Sequence, residues 1–377
     1  MHPILFLLPD LDAGGSQRTL VNLANTLSRR IPCVLASVRK PGDGADWLHS
    51  ETPFRTLCAH RTRDGLPSYI RLLHELKPSV VLSSGIDANI LTWVGSFGLS
   101  EARRPRRFVR ETNSHRVRQD IGFLRRLLIG PSYRSANGVI ALSEGVGKEL
   151  IEDYKLAADS VTVIGNPVDV DGISRRAARA RAEPAPWLDR WGSDVHVLLS
   201  VGRLHHQKGY DRLLKAFFLA KQSNPNLRLV ILGEGPDNAS LLAQAAAMGM
   251  EDSILLFGFC DDVVPWYAHA DMFVLLSRWE GFGHVIVEAM AAGVCVVVTD
   301  CPHGPRDIIS DGKNGVLLTN GADETLCEEA ATAIGKLISQ PDLCGKLAAA
   351  GMERAKSYHL EKISTFYLDV LNKRTQE

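Results

Sequence analysis

No apolar run in this sequence approaches the roughly 20 residues that a membrane-spanning helix needs. None of its seven cysteines, at positions 33, 58, 260, 295, 301, 327 and 344, forms a CxxC pair, and no His pair stands at finger spacing. An odd number of thiols without paired spacing supports neither a disulfide framework nor a structural zinc site, and fits a reducing compartment, so a cytoplasmic location is expected. Net charge is lacking too: 43 Lys and Arg balance 43 Asp and Glu, which argues against nucleic acid as a partner held by bulk positive charge. A P-loop GxxxxGK[ST] is missing, and the glycine loop after the first strand is not GxGxxG, which disfavours a P-loop NTPase and a nicotinamide dehydrogenase. The opening MHPILFLLPDLD has no basic flank and meets Asp10 and Asp12 too early for a secretory signal.

What is present is a pattern of alternating elements. The 377 residues, 45% hydrophobic and 23% charged, suit two or three globular domains. Ile4–Leu8 reads as a buried strand closed by Pro9, followed by a helix over Gln17–Arg30 whose Leu20, Leu23, Ala24 and Leu27 share one face. Further strands are expected at Cys33–Val38, Val80–Ser83, Arg107–Arg110 and Gly138–Ala141. A second series follows after a break, at Val161–Ile164, Val195–Val201, Leu227–Leu232, Ile254–Phe257, Met272–Leu276 and Val294–Thr299. The Arg-, Ala- and Pro-rich stretch Arg175–Pro186 shows no clean period and reads as a surface segment. Strands alternating with helices imply an α/β fold: two Rossmann-like, doubly wound parallel sheets, joined near residue 168, with ligands in a cleft at the C-terminal ends of the strands. The expected domains are 1–168 and 169–355, with a C-terminal helix over 356–377 crossing back to the first.

Three loops carry candidate chemistry. In SRWEGFGHVIVEAMAA, Glu280, Gly281, Phe282 and Gly283 form a glycine-bearing loop before a helix over His284–Ala292, which offers free N–H groups as a phosphate seat. Glu288 stands among apolar neighbours, where an ionised carboxylate needs a partner. Either the two carboxylates flank one polyhydroxylated ligand, or Glu288 pairs with a buried Arg and Glu280 merely neighbours a helix N-cap. In SVGRLHHQKGY, Arg203 and Lys208 follow a strand and can neutralise a diphosphate, with Arg as a fork and Lys as a point charge. His205 and His206 look like a metal pair, but adjacent side chains diverge, so no metal is expected. In DAGGSQR, Gly14 and Gly15 permit close backbone approach. Asp10 and Asp12 imitate a metal-binding DxD but read as turn chemistry.

At these loops the chain resembles the family 4 retaining glycosyltransferases of the GT-B fold. EGFGHVIVE carries the family's E-x7-E pattern, GRLHHQKG matches its Arg/Lys diphosphate loop, and GGSQRTLVNLANTL its N-terminal glycine loop; CPHGPRDII resembles members that build bacterial polysaccharides, lipopolysaccharide and lipid-linked oligosaccharides. The resemblance implies hexosyl transfer from a nucleotide diphosphate sugar, UDP-linked first and GDP-linked second, to a glycan or lipid-linked hydroxyl, with retention and no obligatory metal or other cofactor. It implies that the first domain binds the acceptor and the second the donor. Arg203 and Lys208 would hold the diphosphate, Glu280 the donor-sugar hydroxyls and Glu288 the ribose. Gly281, Phe282 and Gly283 would support sugar and phosphate, and Gly233–Gly235 with Gly258 and Phe259 would lie near the base. His115 is the candidate for the family's functional histidine in the first domain, with Asn113 as the alternative and a surface histidine as the plain one. Asp307 stands where relatives often carry Glu.

The first half also has a local arginine excess, at 103, 104, 106, 107, 110, 116, 118, 125, 126 and 134, around the apolar-basic stretch IGFLRRLLIG. Such an element can lie on an anionic bilayer, so peripheral docking on the inner membrane face is one expectation and a solvated basic face over an ordinary core helix the other. Two competing functions remain open: a nucleotide-sugar epimerase or hydrolase, and a catalytically silent sugar-nucleotide binding protein.

Overall fold

The computed structural model describes residues 2–12, 15–117 and 121–373. Gly14, Arg118 and Asp120 lie outside them. The chain forms two units, one of Met1–Pro167 with Leu360–Glu377 and one of Val168–His359.

The first unit is built on strands β1 (Ile4–Leu8), β2 (Cys33–Ser37), β3 (Phe54–Thr56), β4 (Val80–Ser84), β5 (Arg106–Glu111), β6 (Gly138–Ala141) and β7 (Val161–Val163). They pair in parallel in the order β3-β2-β1-β4-β5-β6-β7. Central parallel strands are covered on both faces, which is why β1 is an unbroken apolar run. Phe6 and Leu8 pack on one face against Leu20, Leu23 and Leu27 of the helix Gly15–Leu27. Leu5 and Leu7 pack on the other face with Tyr69, Leu72 and Leu91. The helix Leu360–Asn372 adds Ile363, Tyr367 and Leu371 to the first of these layers, one face at a spacing of four. Arg106 donates to the carbonyls of Leu371 and Lys373 at its C-terminal end (2.6 and 2.8 Å), where a cation meets the helix dipole favourably.

The second unit has β8 (His196–Val201), β9 (Leu227–Leu232), β10 (Ile254–Gly258), β11 (Met272–Leu275), β12 (Cys295–Thr299) and β13 (Val316–Leu318), parallel in the order β10-β9-β8-β11-β12-β13. Its core joins Leu198, Leu229, Ile231, Val274 and Val297 of the sheet to Leu214, Phe217 and Ile334 of the helices.

Two expectations need correction. The first half of the stretch read as a surface segment belongs to the helix Val170–Ala180, capped by Asp169, whose carboxylate accepts from the Gly172 N–H at 3.0 Å. Its apolar face is Val170, Ile173, Ala177 and Ala180, a period visible only when counted from Val170 rather than Arg175. Second, Arg107 and Arg110 do not contribute to a basic surface. Both are buried in β5, and Arg110 donates to Tyr367 Oη and Ser84 Oγ (both 3.0 Å) and to Asn166 Oδ1 (2.5 Å). Arg116 and Arg125 are exposed but paired, with Asp153 and Asp87 respectively.

Candidate functional site

In open parallel sheets ligands bind outside the C-terminal ends of the strands, where the strand order reverses. In the second unit that point lies between β8 and β11. The two loops leaving these strands are GRLHHQKG and SRWEGFG, the pair singled out by sequence.

They are laced tightly together. After β8 the chain passes Gly202 and the exposed Arg203, buries Leu204, and makes a short turn over His206–Lys208. Gly209 follows at φ +63°, and a Cβ there would stand 2.0 Å from the Leu276 carbonyl oxygen just past β11. Only glycine allows this approach. Arg278 N–H donates to the Gln207 carbonyl (2.7 Å), and Gln207 Nε2 donates to the Trp279 carbonyl (3.0 Å). The Arg278 guanidinium grips both Asp211 oxygens at 2.7 Å and reaches Asp323 at 3.1 Å. Partial burial would push Asp211 up, but the Arg278 fork overrides it and holds the carboxyl below its ordinary range.

Within this frame Lys208 Nζ donates to Glu280 Oε1 at 2.7 Å, and Ser277 Oγ donates to the same oxygen at 2.7 Å. Glu280 is 5% exposed, and its N–H donates to the Pro302 carbonyl at 3.2 Å, tying in the loop after β12. The buried Cys301 thiol nearby is pushed far up, by burial first and by the Glu280 charge second. Gly281, Phe282 and Gly283 are buried and lead into the helix His284–Ala291, whose first turn has no side-chain cap. The Ile286 N–H of that turn donates to the Gly283 carbonyl at 3.0 Å, and the helix start still turns the positive end of its dipole toward an anion. Arg203 has no side-chain partner among the described residues.

Glu288 lies half-buried on that helix. It acts on Tyr267, whose hydroxyl is pushed well up by burial first and then by the Glu288 charge. Gly233 and Gly258 stand beside the β8 exit. Gly233 N–H donates to the Gly258 carbonyl at 2.7 Å, and a Cβ on Gly233 would meet the Gly202 carbonyl oxygen at 2.0 Å. Phe259 projects outward, 60% exposed. Asp307 is engaged through its carbonyl, which accepts from Arg354 (2.6 Å) and Tyr358 Oη (3.0 Å).

The first unit holds Gly15, which begins the helix after β1, and His115. His115 is buried, with Nε2 2.9 Å from Glu111 Oε2 and Nδ1 2.7 Å from the Tyr154 hydroxyl. Tyr133 Oη also donates to Glu111 (2.6 Å), as do the N–H groups of Thr112 and Asn113 (2.9 and 3.3 Å). Full burial would raise the Glu111 carboxyl, but the His115 charge and these donors bring it down to about 2. Asn113 is half-exposed on the same loop.

Sequence reasoning missed Ser277 and the Arg278–Asp211–Asp323 brace. Ser277 stands three residues before Glu280 at a strand exit, a position from which a hydroxyl reaches back to a loop carboxylate. The brace joins residues too far apart in sequence to be paired by spacing.

Residues 13–171 match the family model described as Glycosyltransferase Family 4, and residues 189–354 match that of Glycosyl transferases group 1. The N-acetylgalactosamine-N,N'-diacetylbacillosaminyl-diphospho-undecaprenol 4-alpha-N-acetylgalactosaminyltransferase of Campylobacter jejuni is 30% identical over 193 residues, 51% of this chain and 49% of that protein. The chain thus matches about half the length of that relative. The lipopolysaccharide core biosynthesis glycosyltransferase LpsE of Rhizobium meliloti is 28% identical over 370 residues, 95% of this chain and 96% of that one. Among solved structures, Anabaena Alr3699/HepE in complex with UDP shares the fold, with a TM-score of 0.82 at 21% identity, over 98% of this chain and 99% of that one.

Proposed function

The chain belongs to the family 4 glycosyltransferases of the GT-B fold, and from that premise we propose that it moves a hexosyl unit from a nucleotide diphosphate sugar to a hydroxyl of a glycan or lipid-linked acceptor, with retention of configuration, in the building of a cell-surface polysaccharide. The observation that carries the proposal is the Lys208–Glu280 pair at the reversal point of the second sheet, with the exposed Arg203 on the same loop as Lys208.

In this reading Arg203 forks the diphosphate, Lys208 adds a second cation, and the uncapped helix His284–Ala291 supplies N–H donors. These groups meet the diphosphate charge, so we assign no metal. Glu280, fixed through Oε1 by Lys208 and Ser277, has Oε2 to accept from donor-sugar hydroxyls, and Glu288 takes the ribose hydroxyls. The acceptor oxygen attacks C1 on the face the diphosphate leaves; the C1–O bond to phosphate breaks, the new glycosidic bond forms, and the leaving phosphate takes the acceptor proton. His115 is the first unit's site residue, but its ring must leave Glu111 or Tyr154 to touch a substrate. UDP is the favoured base, supported by the UDP-bound neighbour of the same fold, with GDP second.

A thermal-shift screen of UDP-, GDP-, ADP- and TDP-sugars tests the proposal, since a ligand of the native state raises apparent stability. A shift with UDP-sugars is expected; no shift with any of them refutes it. Full-rate turnover without acceptor would favour an epimerase or hydrolase, and binding without transfer a silent binding protein. Membrane docking of the region Arg103–Arg134 belongs to the same proposal. It is supported by Phe123, Leu124 and Leu127, all exposed beside Arg125 and Arg126, and flotation with anionic liposomes at low salt tests it.

A further inference from the structure

The first unit carries a built groove that the donor reading leaves unused. Its strand order reverses between β1 and β4, and a crevice of about 160 Å³ opens there, between Pro9 after β1 and Gly85 after β4. Arg39, Asp87 and Arg125 line this crevice and also a groove of about 860 Å³. That volume is within the range of small-molecule sites.

The groove has two kinds of wall. One is cationic, where His60, Arg61 and Arg63 join Arg39 and Arg125. The other is aliphatic, formed by Ile90, Leu91 and Val94 of the helix Ile86–Ser96 with Leu124 and Leu128 of the helix Phe123–Arg134. The cations are not equally committed. Arg39 is paired with Asp10, and Arg125 with Asp87 at 2.8 Å. Arg63 has only its exposed neighbour Asp64 at 3.6 Å, and the Arg61 side chain has no partner among the described residues. Leu124 is 68% exposed, an apolar surface that an occupant would cover.

A neutral glycan would accept hydrogen bonds from the guanidiniums but would leave their charge unneutralised. A free phosphate would leave the aliphatic wall wet, and a bare hydrocarbon would leave the guanidinium forks unused. The crevice at the strand reversal suits a hydroxylated group, the arginines a phosphate, and the leucines a chain. We propose that this groove takes the acceptor as a lipid-linked phosphate or diphosphate, with its anionic head on Arg61 and Arg63 and its first hydrocarbon units along Ile90, Val94, Leu124 and Leu128. The proposal rests on the glycosyltransferase reading and names its acceptor class.

The test is isothermal titration of the full chain with farnesyl diphosphate below its micelle concentration, against inorganic diphosphate and farnesol, each with and without saturating UDP. Farnesyl diphosphate is expected to bind at least about tenfold tighter than either half-molecule, with its affinity unchanged by UDP. The double variant Arg61→Gln/Arg63→Gln, two exposed positions, is expected to lose about tenfold or more of that affinity while keeping the wild-type thermal shift with UDP. Inorganic diphosphate or farnesol matching farnesyl diphosphate would overturn the proposal. So would full displacement by UDP, or wild-type affinity in the double variant. If UDP fails to bind while farnesyl diphosphate behaves as stated, the donor assignment fails and the groove stands.

Discussion

Lys208 and Glu280 show how much of a site can rest on one buried contact. Their side chains are 17% and 6% exposed, so the pair is shielded and removal of one partner strands the other's charge. Lys208→Ala is expected to lower stability by roughly 3 kcal/mol, seen as a fall in Tm, and to cut transferase activity at least about tenfold, as losing a hydrogen bond to a charged group predicts. Glu288→Ala should cost at least about tenfold in activity by the same argument; wild-type rates in both would remove the site. Glu111 makes a separate prediction. Its carboxyl lies at about 2 in the fold against an ordinary 4.5, so its ionised form adds stability above the unfolded value that is lost as pH falls through the folded one. Glu111→Gln should therefore lose on the order of 3 kcal/mol near neutral pH, and its acid unfolding curve should be flatter than wild type between about pH 4.5 and 2. Equal pH slopes in the two proteins would show that the carboxylate contributes nothing. The two residues also mark what sequence could reveal. Lys208 and Glu280 were legible because each sits in a loop of recognisable composition, even though 72 positions separate them. The burial of Arg110 was not, because the acceptors that offset its desolvation, Ser84, Asn166 and Tyr367, stand 26, 56 and 257 positions away.

At the scale of elements, the strands were the easiest to read. Strands with a neighbour on either side are covered on both faces, so β1 and β6 are continuous apolar runs and β9 is broken only by Arg228, all three with the bounds expected of them. β3 and β13, three residues each, lie at sheet edges and carry too little signal to separate from loops. The helix Val170–Ala180 hid because its larger apolar residues, Val170 and Ile173, precede Arg175, and only the small Ala177 and Ala180 carry the face beyond it. Gly209 joins two elements that sequence treats as unrelated. Gly209→Ala places a methyl against the Leu276 carbonyl and forces a positive φ on a residue with a Cβ. It should lower stability by about 2 kcal/mol or more and weaken UDP binding, measured by titration, because the Lys208 turn would be pushed away from the Glu280 loop. Unchanged affinity would mean the lacing of the loops is irrelevant to the ligand.

At the scale of the whole molecule, each sheet places its loops at a strand reversal, one carrying the Lys208–Glu280 pair and the other the arginine groove. The doubly wound pattern was readable from the alternation of elements. The side chains that close each core from a distance were not. Tyr367→Ala should destabilise the first unit by about 3–5 kcal/mol, the usual loss for a large buried side chain, and leave the UDP-dependent thermal shift of the second in place. A parallel loss of that shift would show that the two units do not keep separate stabilities.

The helix Leu360–Asn372 belongs to the first unit, yet it is encoded after the second. A ribosome making this protein therefore releases the first sheet with one hydrophobic layer only partly covered, by the helix Gly15–Leu27. Ile363, Tyr367 and Leu371 reach it only after some 190 further residues, the length of Val168–His359, have been translated. During that interval the nascent chain is open to chaperones and proteases, and a chain cut short in the second unit can never seal the first.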